Sequence, residues 1–119
     1  MNSQAVMALV VQAADEKHAH ELTVLDMQAV SLMADYFVIA DAETQRQVNA
    51  IVDNILEQAE AAQVKVNHVE GQKNSQWILI DLGDVIVHIF THESREFYQI
   101  EKLWSDATVV DITALLKKA

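Results

Sequence analysis

Residues 76–91, QWILIDLGDVIVHIFT, place two apolar runs on either side of Gly83-Asp84. β-Branched and aromatic residues fill both runs, as in strands, and a glycine accepts the positive φ of a tight turn at little cost. The stretch predicts an antiparallel hairpin of Gln76 to Leu82 with Val85 to Thr91. Side chains alternate along a strand, so Trp77, Leu79 and Asp81 share one face and Ile78, Ile80 and Leu82 the other. Both faces carry large apolar groups and are expected to be largely covered.

Upstream, Thr44 and Gln47 have the S/T-x-x-Q spacing of a helix capping box. Behind them Val48, Ile51, Val52, Ile55, Leu56 and Ala59 follow helical spacing. One stripe should pack on a sheet, leaving Asp53, Asn54, Glu57, Gln58 and Glu60 to water or a partner. Asp35 to Ala40, apolar on both faces, reads as a buried strand, and Leu22 to Met27 as another. Ser3 can cap a first helix with Val6, Leu9, Val10 and Ala13 on one side. Val64 to Val69 alternates as a strand and stops at Glu70-Gly71. Beyond Ser94, the residues Phe97, Ile100, Leu103 and Trp104 suggest the apolar face of a short helix.

This order predicts an α/β protein with a mixed sheet of about five strands covered by helices. The link from Asp35–Ala40 through the capped helix to Val64–Val69 is expected to be a right-handed parallel crossover. At 119 residues and 51% hydrophobic, the chain suits one domain with one core. That domain is placed at residues 1–107. Residues 108–119 form a tail, with Ile112, Leu115 and Leu116 before Lys117-Lys118, read as a last amphipathic turn or a frayed end.

There is no cysteine, so disulfides, thiolate metal sites and a cysteine nucleophile are excluded. The N-terminus lacks the charged leader of a secretory signal, and no apolar run approaches the length of a membrane span. A cytoplasmic protein with no membrane partner is the expectation. The net charge of -10 repels phosphate backbones and anionic membranes, so little direct nucleic-acid binding is expected. A basic protein surface would be attracted.

Motifs of catalysis are sparse. His18-x-His20 could share a metal on a strand, but the segment reads as a helix end and no acidic residue completes a ligand pattern. His88, in an apolar strand, reads as a hydrogen-bonded sheet or interface residue. Asp81 and Asp84 flank the hairpin tip and could hold Mg²⁺ in a nucleotide-handling enzyme of nucleotidyltransferase type. That chemistry also needs phosphate donors, and of the two glycines, Gly71 and Gly83, neither opens a helix. A turn role for Asp84 and a strand-end role for Asp81 fit better. No cofactor and no metal are expected. An acidic and aromatic cluster remains: Glu93, Arg95, Glu96, Tyr98, Glu101, Trp104 and Asp106. It suits an interface to a basic partner, unless Phe97 and Trp104 simply cap the core.

Five ordered blocks make the pattern specific: ADYFVIA at 34–40, RQV at 46–48, VEG at 69–71, WILIDLGDVIVH at 77–88 and ESREFYQIEKLW at 93–104. From about Val6 to Ala107 the chain resembles the Iojap family of ribosomal silencing factors. The resemblance implies a fold related to nucleotidyltransferases without their active site, and no enzymatic activity. It implies binding to the large ribosomal subunit through large-subunit ribosomal protein fourteen, which blocks joining of the small subunit and represses translation when nutrients are short. The expected partner-binding residues are Trp77, Asp81, Asp84, His88, Tyr98, Glu101 and Trp104. The chain departs from the family at Asp41-Ala42-Glu43-Thr44, where a small, Ser-containing stretch is common, and at Leu82, often an aromatic. Apolar strands with few Gly or Pro residues could also leave an edge that pairs two copies into a homodimer.

Overall fold

The computed structural model describes residues 1–71 and 75–116. In chain order these form α1 (Ser3–Glu16), β1 (His20–Asp26), β2 (Tyr36–Ala42), α2 (Gln45–Ala61), β3 (His68–Glu70), β4 (Trp77–Asp81), β5 (Val85–Thr91), α3 (His92–Tyr98), α4 (Ile100–Leu103), β6 (Thr108–Val109) and a 3-10 turn at Thr113–Leu115. The strands make one mixed sheet in the order β3-β4-β5-β2-β1-β6. No helix among the described residues is long and apolar enough to cross a membrane.

The capped helix and the hairpin form as their residues dictate. Thr44 is extended and its hydroxyl accepts from the Gln47 amide, which matches a bare donor of the first turn of α2. The Gln47 side-chain amide donates to the His18 carbonyl at 2.9 Å, tying the start of α2 to the turn after α1. In the hairpin Gly83 adopts φ 90, and Leu82 donates to the Val85 carbonyl across a two-residue loop.

Several expectations change. Asn2, not Ser3, caps α1, its side chain accepting from Ala5 at 2.8 Å. Asn54 is buried, because its amide donates to the Ala13 carbonyl and locks α2 onto α1. The strand expected over Val64–Val69 shrinks to β3. Asn67 meets the Asp81 carbonyl, but β4 then turns away at Leu82, so residues before it have no strand to pair with. Val64 and Val66 still pack on the core, which explains their alternation.

Parallel pairing occurs between β2 and β5, while β3 lies two strands further out beyond β4. The crossover through α2 therefore steps over the hairpin instead of joining neighbours. A sixth strand arises because Thr108–Val109 pairs with Asp26 and Leu25 of β1. The segment after Ala107 is thus tied into the sheet, and Ile112 is buried in the core; Lys117 and Lys118 lie outside the described residues.

The helix expected after Ser94 breaks at Gln99, a left-handed residue with φ 46 that ends α3 and opens α4. The break resets the helical phase. Ile100 is buried and Trp104 half-buried, but Phe97 is 80% and Leu103 75% exposed, so the four residues share no apolar face.

Packing on the two sheet faces differs. Val38, Ala40, Ile78, Ile80, Val87 and Ile89 point toward α1 and α2 and form the larger core. On the opposite face Leu25, Ile39 and Phe90 meet Met27 and Ile100 in a smaller cluster, with Phe37, Trp77 and Trp104 packed at its border.

Candidate functional site

On that second face, alternation along three neighbouring strands lines up Trp77 of β4, His88 and Phe90 of β5 and Phe37 of β2. Their rings make a continuous row. Trp104 meets Phe37 edge-on at 5.7 Å, and Phe37 meets His88 at 5.0 Å. His88 lies 5.9 Å from Trp77, which stacks on Phe90 and leans on Tyr98, each at 5.0 Å. Phe97 then meets Tyr98 edge-on at 5.1 Å. Such offset and edge contacts hold aromatic rings in place beyond what burial alone supplies. Exposure rises along the row, from buried Phe90 to half-buried Trp77, 49% exposed Tyr98 and outermost Phe97.

A hydrogen bond sets the orientation of Trp77. Its indole Nε1–H donates to His88 Nδ1 at 3.2 Å. An acceptor at Nδ1 requires the neutral ring with its proton on Nε2. Burial pushes the His88 imidazole down from 6.5 to about 4, which maintains that neutral form near pH 7. Its Nε2 is buried without a hydrogen-bond partner.

Helix α3 is anchored over this face by polar contacts. Thr91 caps it, and the Ser94 hydroxyl donates to Gln76 Oε1 at 2.9 Å, holding the helix to the start of β4. Arg95, buried, reaches along this same face to β1 and β2. It donates to Asp41 Oδ2 at 3.0 Å, to the Glu21 carbonyl at 2.7 Å, to the Thr23 hydroxyl at 3.1 Å and to both oxygens of Glu101. Burial works against the guanidinium charge, yet hydrogen bonding and attraction from Glu101, then Asp41, overcome it and hold Arg95 above its ordinary value.

Of the residues singled out in the sequence, Trp77, His88, Tyr98 and Trp104 come together in the aromatic row. Asp81 shares the face of Trp77 but lies about 13 Å further along the strand. Its Oδ1 accepts from the Gly83 amide at 2.8 Å, and its Oδ2 lies 3.5 Å from His68. Asp84 is exposed at the turn, where its backbone carbonyl accepts from Asp35 and Tyr36. Both carboxylates therefore sit in turn and strand-end positions. Glu101 is occupied by Arg95. Phe37, Phe90 and Asp41 were missed, because their roles depend on β2 lying beside β5, and no local spacing signals that pairing.

Comparison with known proteins gives a consistent result. Residues 1–119 match the family model described as "Ribosomal silencing factor during starvation". The chain is 40% identical over 112 residues to "Ribosomal silencing factor RsfS" of Bacillus subtilis (strain 168), covering 94% of this chain and 95% of that protein. It is 25% identical over 100 residues to "Mitochondrial assembly of ribosomal large subunit protein 1" of Mus musculus, covering 82% of this chain and 44% of the mouse protein. A crystal structure of a Chromobacterium violaceum protein superposes with a TM-score of 0.85 at 28% identity, covering 88% of each chain.

Proposed function

Because the chain belongs to the ribosomal silencing factor family, we propose that it binds the large ribosomal subunit through its aromatic sheet face and blocks joining of the small subunit by steric exclusion. The contact implied by the family resemblance is large-subunit ribosomal protein fourteen, and the place of action is the cytoplasm. The name of the mouse relative, which refers to the ribosomal large subunit, supports this choice of subunit.

The observation that carries the proposal is the row from Trp104 to Phe97, with Trp77 held by His88 and its outer rings open to solvent. Rigid aromatic anchors of this kind supply a large share of interface energy at small entropic cost. Glu93 and Glu96 are exposed on the helix that carries Phe97 and Tyr98, Asp106 is exposed just beyond Trp104 in the chain, and the net charge of -10 favours a basic protein partner. Regulation by occupancy requires no chemistry from the carboxylates at the hairpin tip.

Subunit joining tests the inhibition directly. Purified large and small subunits are mixed with and without the protein and separated on a gradient. The proposal expects fewer joined ribosomes in proportion to protein added, and an unchanged fraction would contradict it. Glu101→Lys is a poor probe, since Glu101 holds Arg95.

A further inference from the structure

At the end of β2, on the same sheet face as the aromatic row, Asp41 is 0% exposed. It helps line an open cavity of about 390 Å³. Four carboxylates, Glu21, Asp41, Glu96 and Glu101, face two cations there, Arg95 and Lys102. These six groups together carry two net negative charges. Arg95 is fully engaged with Asp41 Oδ2, Glu101, Thr23 and the Glu21 carbonyl.

Asp41 Oδ1 is left over. It is buried without a hydrogen-bond partner. His92 Nδ1 stands 3.4 Å away, within ion-pair range but not hydrogen-bonded to it, and His92 Nε2 lies 3.4 Å from Glu96 Oε1 at the exposed rim. Buried acceptors in folded proteins are nearly always matched, and a carboxylate oxygen accepts most strongly from a charged donor. A divalent metal fits poorly, because it needs several oxygen ligands and no suitable group of three occurs among the described residues. An alkylammonium fits: it is compact and brings three N–H donors and one positive charge.

We propose that this cavity is a socket for an alkylammonium group, carried by a lysine side chain of the basic ribosomal partner. The choice of partner rests on the reading above; the chemistry of the socket stands on Asp41 and its neighbours. Asp41 forms the floor, and Glu96, with His92 between them, forms the rim.

The test begins with the isolated full chain, labelled with ¹⁵N and titrated with butylammonium, and with tetramethylammonium at matched ionic strength. Saturable shifts at Asp41, His92 and the Arg95 Nε–H are expected from butylammonium alone, because tetramethylammonium has no N–H to donate. Asp41→Asn should weaken the titration about tenfold or more, the loss of one charge-assisted hydrogen bond. Glu96→Gln, an exposed change that leaves the Arg95 pair intact, should weaken it several-fold and keeps the test decisive if Asp41→Asn does not fold. Equal shifts from both salts, no shift, or unchanged titration in the folded variants would overturn the socket.

Sedimentation of the same variants with large subunits tests the source of the lysine. Binding weakened by about the same factors supports the ribosomal partner; wild-type retention by variants that no longer take butylammonium overturns that assignment. Wild-type protein that fails to sediment overturns both the ribosomal reading and the partner lysine, while the titration still decides the socket.

Discussion

His88 and Arg95 are buried on one face of the sheet, one as a neutral ring and the other as a paired charge. The His88 imidazole is pushed down from 6.5 to about 4 by burial. Between those values the unfolded chain takes up a proton and the folded chain does not, so acid favours unfolding. The stabilisation is fully present above about pH 6.5 and is lost as pH falls toward 4, for a total of about 3 kcal/mol. Urea unfolding across that range should show a steeper acid loss for the wild type than for His88→Leu, which has no proton to gain; parallel curves would refute the assignment. Arg95→Met acts differently. It strands Asp41 as an uncompensated buried charge and should destabilise the protein by about 3–5 kcal/mol in the same assay. A loss under 1 kcal/mol would show that the pair matters little. The sequence marked His88 as a hydrogen-bonded strand residue but not its partner Trp77, and it gave no sign of the Arg95 role: Arg95 appears within an acidic run, and its partner Asp41 lies on a strand 54 residues earlier.

Elements were legible where their signals were local. The Thr44 cap and the stripe behind it specify α2, and Gly83-Asp84 between two apolar runs specifies the hairpin, since each depends on residues within one or two turns of chain. Thr44→Ala should therefore cost about 1 kcal/mol without changing the fold, measurable by thermal unfolding. β3 and the α3–α4 pair were misread for the opposite reason. Val64 and Val66 alternate because they pack on the core, but β4 offers no partner at that point. Gln99 breaks a helix whose apolar spacing looked continuous. Gly71 links these elements to the site. It sits at φ 99, and a Cβ there would lie 2.7 Å from the Trp77 carbonyl oxygen. Gly71→Ala should cost about 2 kcal/mol or more and disturb the start of β4, visible as a change in Trp77 fluorescence.

The whole molecule is a six-stranded sheet with one face closed by two long helices and the other only partly covered by two short ones. The class of fold and the family blocks were readable in the sequence, but strand order was not. Periodicity assigns a residue to a face without naming its neighbour, and the β2–β5 pairing that assembles the aromatic row joins segments about 50 residues apart. Charge also acts at this level. With -10 against a basic partner, association should slow as salt rises from 50 to 200 mM while dissociation changes less, as read from stopped-flow traces.

The central claim is that the aromatic face docks on the large subunit, and co-sedimentation with isolated large and small subunits tests it most directly, using wild type and Trp77→Ala matched for native circular dichroism. Retention on the large subunit alone, weakened roughly 30-fold by Trp77→Ala, is the predicted result. Equal retention of the variant, or no retention of the wild type on large subunits, would contradict the account.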